Sequence, residues 1–287
     1  MVKTIAELYL DARRTLMTKE DDQSASMMAR SLVCHITGKT HEQVIAQRDM
    51  YVGEQECMQM DGYVQRLLNE EPLPYVLGKW EFYGLELIVT PDVLIPRDDT
   101  CAVASLAIEQ SLFLDSKPRI LDLCTGSGCI GLAIASRVKD AKVTLADLSQ
   151  DALNVAKQNI VLHHLTGRVS CVKANALEEA PAFLGKFDLI VSNPPYITTR
   201  DMLELPHSVA GFEPRMALHG GDDGLKFYRS IASQYAAVLK PGGYLCFEFG
   251  DDQGDDVCAI LEENGYKVLE RTSDYNQIER AVIARRK

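Results

Sequence analysis

Apolar residues recur at three- and four-residue spacing through the first 75 residues, as they do along one face of an amphipathic helix. The clearest rows are Ile5, Leu8, Ala12 and Leu16, followed by Ala25, Ala29, Leu32 and Val33. Four helices are expected in this region. Gly38 is placed to end the second, and Pro72 ends the fourth. The pattern predicts a small helical bundle, which either covers another part of the chain or docks a partner.

A different pattern begins after this bundle. Residues 80–95 alternate apolar and polar side chains around Gly84, which predicts a β-hairpin. From Pro118 onward, strand-like and helix-like segments alternate to the end of the chain, which predicts a mainly parallel, doubly wound sheet. Residues 198–222 have no clear periodicity, and long insertions of this kind often act as lids or specificity elements beside a site.

The charge balance narrows the choice of partner. The chain has 41 acidic and 30 basic side chains, for a formal net charge of −11. A surface that neutralises many phosphates needs clustered Lys and Arg, so this balance disfavours a nucleic-acid partner. A basic protein surface is electrostatically the easier partner. The other interpretation is that the acidity only keeps the protein soluble.

The scattered cysteines and the lack of a long apolar segment indicate the cellular compartment. Eight cysteines are scattered without a Cys-x-x-Cys pair, which is typical of reduced thiols in a cytosol. The His163-His164 pair has no carboxylate or thiolate at ligand spacing, so we expect no metal site. No run of about 18 apolar residues occurs, and the amino terminus shows no signal-peptide pattern. The expectation is a soluble, cytoplasmic protein.

A glycine-rich segment follows the first strand of the alternating region. Gly126, Gly128 and Gly131 have the Gly-x-Gly-x-x-Gly spacing of dinucleotide sites. Asp147 ends the next strand, where its carboxylate can bind both ribose hydroxyls, although it could also cap the following helix. Taken alone, this pattern could mean a nicotinamide cofactor. The longer pattern Asp-Leu-x-Thr-Gly-x-Gly, which starts at Asp122, instead resembles the first motif of Rossmann-like S-adenosylmethionine methyltransferases.

The loop after the third strand is a second candidate for cofactor contact. It contains Ala174, Asn175 and Ala176. In this fold the loop usually brings an acidic residue to the adenine amino group. The Asn175 amide oxygen can accept the same hydrogen bond without a charge. The alternative is that Asn175 only forms a turn.

Asn193-Pro194-Pro195-Tyr196 follows an apolar strand and is the most informative motif of the chain. Two successive prolines fix the backbone and end the strand, so the loop leaves the sheet in one rigid shape. The Asn193 side-chain oxygen and the Pro194 carbonyl can both accept hydrogen bonds from one planar NH2 group. Tyr196 offers a flat face for stacking. The motif therefore predicts a site that holds an amide or amino nitrogen at the carboxyl end of a sheet.

Together these motifs resemble the HemK/PrmC family of protein-(glutamine-N5) methyltransferases. Further segments that match the family are residues 75–84, 94–97, 191–197 and 212–225. The resemblance implies a helical, substrate-docking domain over residues 1–75, a hairpin linker over 76–97 and a methyltransferase domain with a mostly parallel seven-stranded sheet over 98–287. It also implies a monomer.

The resemblance assigns roles to individual residues. It implies that Asn193, Pro194, Pro195 and Tyr196 bind the substrate, with Asn193, Pro194 and Tyr196 also catalytic. It implies that S-adenosylmethionine, which leaves as S-adenosylhomocysteine, contacts Cys124, Thr125, Gly126, Ser127, Gly128, Asp147, Leu148, Asn175, Ala176 and Asn193. It implies a further role in the site for Arg97, Thr100 and Glu213.

The chain departs from the family pattern at a few positions. Asp98, Asp99 and Cys101 stand in a segment where the family usually has Pro-Arg-Pro-Glu-Thr-Glu, so a proline and a carboxylate are lost. Cys124 stands where glycine is common, and Asn175 where aspartate is common. None of these departures lies in the loop that holds the nitrogen.

The implied reaction is methyl transfer to the glutamine side-chain nitrogen in the Gly-Gly-Gln motif of peptide chain release factors. Two alternatives use the same motifs. A nucleic-acid base amino-methyltransferase would hold adenine N6 or guanine N2 in the same loop, but it needs a basic strand-binding face. A non-catalytic adaptor would bind S-adenosylmethionine and act through its N-terminal domain.

Overall fold

Five helices dominate the N-terminal part of the computed structural model, which describes residues 2–114 and 117–287. The helices are α1 (Ile5–Leu16), α2 (Asp22–Thr37), α3 (His41–Ala46), α4 (Glu54–Leu68) and α5 (Leu73–Leu77). The expectation of helices alone was incomplete, because strands β1 (Lys3–Thr4) and β2 (Tyr51–Val52) form a short antiparallel ladder. Pro74 opens α5 in its first turn, where the missing N–H costs nothing.

Local sequence signals set the ends of these helices. Thr4 and Thr40 each form a complete capping box with the residue three positions on, and Asp21 caps α2 through its carboxylate. Gly38 ends α2 with a φ of 64°, a conformation that costs glycine little. The stop predicted at Gly38 is therefore confirmed. Over the described residues, no helix combines the length and apolar character needed to cross a membrane.

A second unit carries the sheet. Its strands are β3 (Lys79–Phe82), β4 (Leu85–Ile88), β5 (Arg119–Leu123), β6 (Lys142–Asp147), β7 (Val169–Lys173), β8 (Phe187–Ser192), β9 (Ile197–Thr198), β10 (His219–Gly221), β11 (Leu239–Glu248), β12 (Tyr266–Ser273) and β13 (Glu279–Arg286). The helices that follow in the chain are α6 (Cys101–Leu112), α7 (Cys129–Arg137), α8 (Gln150–Leu162), α9 (His207–Ala210), α10 (Lys226–Gln234) and α11 (Gly254–Glu263).

The main sheet has seven strands in the order β12-β13-β11-β8-β5-β6-β7. Strands β7, β6, β5, β8 and β11 pair in parallel, and β13 pairs antiparallel with both of its neighbours. The predicted fold class, a mostly parallel doubly wound sheet, is confirmed. The strand order reverses between β5 and β8, which is the place where open α/β sheets bind ligands.

The core of this unit consists of two apolar clusters. One cluster joins the sheet to α6, α7 and α8 and includes Phe82 and Leu87 of the hairpin. The other joins the sheet to α10 and α11 and includes the fully buried Tyr228 and Phe247. Long apolar runs in the strands reflect this burial on two faces.

The two compact units do not follow a single cut in the chain. One unit comprises residues up to Gly78 together with His207–Phe212, and the other comprises Lys79–Pro206 and Glu213–Lys287. The segment His207–Phe212, which contains α9, belongs to the helical unit, where His207 Nδ1 lies 2.9 Å from Glu70 Oε2. The insertion predicted to lack periodicity contains β9, β10, α9 and three-residue 3-10 helices at Asp201–Leu203 and Arg215–Ala217.

One buried asparagine anchors the hairpin of β3 and β4 to the sheet unit. Asn159 of α8 accepts a hydrogen bond from the Ile88 amide at 2.7 Å and donates to the Ile88 carbonyl at 3.0 Å. Its Nδ2 also donates to the Ser127 carbonyl at 3.0 Å. Asn159 therefore ties the hairpin and the glycine-rich loop to the same helix.

We expect Asn159→Ala to lower the free energy of unfolding of the sheet unit by about 2–4 kcal/mol, because it leaves buried backbone groups without partners. The change is measured by chemical denaturation. Asn154→Ala, at an exposed position on the same helix, is the matched control and should change stability by less than about 0.5 kcal/mol. Equal effects of the two substitutions would contradict the anchoring role.

Candidate active site

The register of the parallel strands places the candidate site residues side by side. Leu123 of β5 pairs with Ala146 of β6 and with Ser192 of β8, so that the residues following these strand positions, Cys124, Asp147 and Asn193, form one row. Asp147 in turn pairs with Lys173 of β7, directly before Ala174. The carboxyl ends of neighbouring parallel strands thus bring together segments that are far apart in the sequence.

The glycine-rich loop is organised by a buried carboxylate. Asp122 Oδ2 accepts hydrogen bonds from Thr125 Oγ1 at 2.6 Å and from the Gly131 amide at 2.8 Å. Burial raises the pKa of Asp122 to about 7, opposed by these two hydrogen bonds. Gly131 has no room for a side chain, because a Cβ there would lie 2.2 Å from Leu145 Cδ2. The Asp122 hydrogen bonds and the close packing at Gly131 therefore hold the loop on the side that faces the core. Its opposite side is left for a ligand.

Cys124 adopts a conformation that favours glycine. Its φ is 60°, in the left-handed region that few residues with a side chain occupy. Desolvation raises the pKa of the Cys124 thiol well above its usual range, so the side chain is a neutral group at the end of β5. The family's common glycine and this cysteine therefore serve the same backbone turn, and the cysteine adds a thiol to the site.

Asp147 closes the loop on its other side. Its Oδ2 accepts from the Gly126 amide and its Oδ1 from the Ser149 amide, both at 2.9 Å. Burial raises the pKa of Asp147, and these backbone hydrogen bonds act in the opposite direction. Each carboxylate oxygen has two lone pairs, so both oxygens can accept a further hydrogen bond from a ligand.

A cavity of about 520 Å³ lies over this row of strand ends. That volume is in the range of small-molecule sites. Eight of the predicted site residues line it, namely Cys124, Gly126, Asp147, Leu148, Asn175, Ala176, Asn193 and Pro195. The insertion supplies a further part of the wall through Pro214, Arg215, Met216, Ala217 and His219.

Asn175 already makes the hydrogen bonds of a turn. Its Oδ1 accepts from the Leu177 amide at 3.0 Å, and its Nδ2 donates to Glu178 Oε1 at 2.8 Å. The oxygen retains one lone pair that can accept from an adenine amino group. The turn and the ligand contact are therefore compatible, and Tyr235 fixes the same residue by donating to its backbone carbonyl at 3.0 Å.

The Asn-Pro-Pro-Tyr loop divides its side chains between two environments. Asn193 and Pro195 line the cavity, whereas Pro194 does not, and both prolines are buried. Tyr196 is half-buried against the second apolar cluster. Desolvation raises the pKa of the Tyr196 hydroxyl above its usual range, so the Tyr196 side chain is a neutral ring.

Close packing behind the loop holds its backbone. Gln253 Nε2 donates to the Tyr196 carbonyl at 3.1 Å, and Gln253 Oε1 accepts from the Gly250 amide at 3.0 Å. A Cβ at Gly220 would lie 2.7 Å from the Pro195 carbonyl oxygen, and a Cβ at Gly224 would lie 2.3 Å from the Tyr196 carbonyl oxygen. The glycines of the insertion are therefore needed for the insertion to approach the loop.

Other predicted site residues stand beside the cavity and do not line it. Thr125 and Ser127 are buried in the loop, and Gly128 has a φ of 86° at the start of α7.

Arg97 forms an ion pair with the buried Glu213, which also accepts from the Ile95 amide at 3.2 Å. Thr100 lies beside the Asn-Pro-Pro-Tyr loop, where its Oγ1 accepts from Asn193 Nδ2 at 3.3 Å. The Arg97–Glu213 pair joins two of the segments that matched the family pattern.

Sequence reasoning missed Glu248 and Gln253. Glu248 ends β11 beside Asn193 and is 2% exposed, and burial raises the pKa of its carboxyl to about 8. The signal was present, since an ionisable residue that closes an apolar strand points to a specific role. Gln253 carried no such signal, because its partners are backbone groups, the nearby Gly250 amide and the carbonyl of the distant Tyr196.

The described residues hold no cluster of three or more His, Cys, Asp or Glu side chains arranged to bind a metal ion. Carboxylates and amides of the site instead face backbone donors, the Arg97 guanidinium or the cavity. The arrangement is therefore suited to an organic ligand with hydroxyl and amino groups. A planar NH2 group held by Asn193 would lie beside that ligand.

Family models match two parts of the chain. The PrmC N-terminal domain matches residues 7–78, and the methyltransferase small domain matches residues 100–207. The release factor glutamine methyltransferase of Clostridium acetobutylicum is 36% identical over 270 residues, which cover 94% of each chain. The enzyme of the same name from Geobacter sulfurreducens is 35% identical over 276 residues, covering 96% of this chain and 95% of the relative.

A solved structure supports the fold. The hMettl16 catalytic domain, crystallised with the MAT2A 3′UTR hairpin 6, superposes with a TM-score of 0.56 over 82% of this chain and 84% of its own. Its sequence is 15% identical, so the match concerns the fold alone.

We expect Gly224→Ala to destabilise the sheet unit by at least about 1 kcal/mol, because it places a Cβ against the Tyr196 carbonyl at a φ of 72°. Urea unfolding measures the change. Gly167→Ala is the control, since its Cβ would meet no atom within 4 Å and its φ is not in the left-handed region. A Gly224→Ala protein as stable as Gly167→Ala would show that the insertion does not constrain the loop.

Proposed function

Because the chain belongs to the release factor glutamine methyltransferase family, we propose that it methylates the N5 side-chain nitrogen of the glutamine in the Gly-Gly-Gln motif of peptide chain release factors. One observation supports this proposal above the others. The register of β8, β5 and β6 sets Asn193, which can hold a planar nitrogen, directly beside Cys124, with Asp147 next in the row after Cys124, at the edge of a cavity sized for a cofactor.

The cavity fits S-adenosylmethionine as the methyl donor. Asp147 offers two acceptor oxygens to ribose hydroxyls, and Asn175 offers one to an adenine amino group. Leu148 and Ala176 supply apolar wall on either side of them. The cofactor supplies a methyl group on a positively charged sulfur, which needs no activation by the protein.

Asn193 and Pro194 would act on the acceptor nitrogen. An amide nitrogen is a weak nucleophile, because its lone pair is delocalised into the carbonyl. Hydrogen bonds from its two N–H groups to the Asn193 side-chain oxygen and the Pro194 carbonyl would fix its orientation and favour the positive charge that develops on it. Placement of the nitrogen in line with the methyl group would supply a further large part of the rate.

Tyr196 would keep the glutamine amide in place. Its ring is half-buried, and its hydroxyl is held neutral by desolvation, so it offers an apolar face and no proton acceptor. An aromatic wall beside the amide would exclude water and restrict rotation of the substrate side chain. The loop would therefore act by positioning, without a strong base.

The remaining parts of the proposal concern partner and compartment. The helical unit would dock the release factor, and the acidic balance of the chain favours a basic protein surface. We propose that the protein acts as a cytoplasmic monomer.

A single-turnover assay with labelled S-adenosylmethionine tests the proposal. Release factor and DNA are offered in parallel, and the modified protein is digested and analysed by mass spectrometry. The expected product is one methyl group on the Gly-Gly-Gln peptide. Label on DNA alone would favour a base amino-methyltransferase, and cofactor binding without transfer to either would favour an adaptor.

We expect Asn193→Ala to lower the methylation rate by at least about 100-fold, because it removes a preorganised acceptor from the developing charge. Affinity for S-adenosylhomocysteine, measured by calorimetric titration, should change little. Turnover near that of the wild type would refute the role of Asn193.

We expect Asp147→Asn to weaken S-adenosylhomocysteine binding by about tenfold or more, because charge-assisted hydrogen bonds contribute about 1.5–3 kcal/mol each. Calorimetric titration of the purified protein provides a measurement that does not depend on activity. Asp151→Asn, at an exposed position in the first turn of α8, is the matched control. Unchanged affinity in Asp147→Asn would place the ribose elsewhere.

A further inference from the structure

The proposed function requires Asn193 to present its oxygen, and not its NH2 group, to the substrate nitrogen. The two ends of an amide have nearly the same shape, so the surroundings must decide which end faces the substrate. In the structure, Asn193 Nδ2 donates to Thr100 Oγ1 at 3.3 Å. The orientation of Asn193 therefore depends on Thr100.

Thr100 is buried at the entry to α6, with 2% of its surface exposed. A hydroxyl can accept a hydrogen bond while it donates its own hydrogen to another group. If that hydrogen pointed at Asn193, the amide would turn and offer its oxygen to Thr100. The Thr100 hydroxyl thus fixes Asn193 only if a separate acceptor holds its hydrogen.

Glu248 is placed to be that acceptor. Phe247 pairs with Ser192 across β11 and β8, so Glu248 and Asn193 are neighbours in the next position of the register. The Glu248 carboxyl is 2% exposed, and the side chains of Thr100 and Asn193 lie against it and favour its charged form. Its Oε2 has no hydrogen-bond partner among the described residues.

The other groups around Glu248 do not replace this role. The Tyr228 hydroxyl donates to the backbone carbonyl of Glu248 at 2.9 Å and not to the carboxyl. Arg280 is engaged by Asp274 at 3.1 Å and lies 3.4 Å from Asp99. The carboxyl is therefore a buried acceptor with spare capacity, in contact with the Thr100 hydroxyl and with the side-chain amide of Asn193.

We infer that Thr100 and Glu248 are positioning residues for Asn193, acting as a directed chain of hydrogen bonds. Glu248 accepts the Thr100 hydroxyl hydrogen, Thr100 accepts from Asn193 Nδ2, and the Asn193 oxygen is left for the substrate. This inference rests on the proposed function. A carboxyl group keeps one acceptor oxygen even when it is protonated, and so does a glutamine amide, so the chain needs the acceptor and not the charge.

Glu248 also contacts the Asn193 side chain directly, so loss of either Thr100 or Glu248 weakens the hold on the NH2 end of the amide and allows the amide to turn. The turned amide would set its NH2 group against the NH2 group of the substrate, which gives two donors and no acceptor. This change reduces stabilisation of the transition state, and among the residues that line the cofactor cavity it alters only Asn193. Loss of either residue should therefore lower the methylation rate without a matching loss of cofactor affinity.

The test uses the full-length protein and release factor as substrate. Thr100→Val and Glu248→Met remove one link each with little change in volume, and Thr100→Ser and Glu248→Gln preserve the hydrogen-bonding atoms. Each removal should lower kcat by at least about tenfold, the effect of about 1.4 kcal/mol, with the dissociation constant of S-adenosylhomocysteine within about twofold of wild type. The conservative variants should recover most of the lost rate.

A double variant and a control separate positioning from a loss of folding. Because both residues act through one amide, the rate loss of Thr100→Val combined with Glu248→Met should be smaller than the product of the two single losses. Ser111→Ala removes another buried hydroxyl from α6, one that bonds its own helix, and should leave kcat unchanged. Thermal melting of every variant shows whether the fold is retained.

An activity-independent measurement follows the amide itself. The side-chain NH2 signals of Asn193, assigned through Asn193→Ala, should be protected from hydrogen exchange in the wild type and lose that protection in Thr100→Val and Glu248→Met.

Three outcomes would overturn the inference. They are a kcat within twofold of wild type in either variant, additive losses in the double variant, and a Glu248→Gln protein as slow as Glu248→Met. A wild-type protein that does not methylate release factor, with protection of the Asn193 amide intact, would overturn the proposed function and leave the positioning chain established.

Discussion

The register of the parallel strands is the constraint on which the site depends. Backbone hydrogen bonds between β6, β5, β8 and β11 set which residues lie side by side at the carboxyl edge. Asp147, Cys124, Asn193 and Glu248 form one row there, although the first and last are about a hundred residues apart in the chain. A shift of one strand by one residue would turn its side chains to the opposite face, and these residues would no longer lie side by side. The apolar clusters on both faces of the sheet hold that register.

Above this row, the structure holds its polar groups through backbone partners. Asp122 and Asp147 bind amides of the glycine-rich loop, Gln253 binds the carbonyl of Tyr196, and Glu213 binds the amide of Ile95. Such bonds keep a side chain in place without using all of its acceptor positions. The site is therefore rigid and still able to take up a ligand, which is the property that catalysis by positioning requires.

Much of this could be predicted from the sequence, for physical reasons that differ from part to part. The alternation of strands and helices follows from burial on two faces, and the Asn-Pro-Pro-Tyr loop follows from proline geometry, so both were visible. The predicted sheet architecture and family are confirmed by the structure and the relatives. The structure of residues 198–222 was not predicted, because its short strands β9 and β10 are held by their pairing and by contacts with the Asn-Pro-Pro-Tyr loop and not by a pattern of their own. Glu248 was missed because its neighbours Thr100 and Asn193 become neighbours only once the register is known.

The composition of the helical unit has a consequence for modularity. Because His207–Phe212 belongs to the helical unit, the polypeptide leaves one unit and enters the other at three points and not at one. Removal of the residues before Lys79 would leave that segment without its packing partners, attached to the insertion that also forms part of the cavity wall. The helices before Lys79 and the segment His207–Phe212 thus belong to one folding unit, so an exchange between relatives that replaced one without the other would separate residues that fold together.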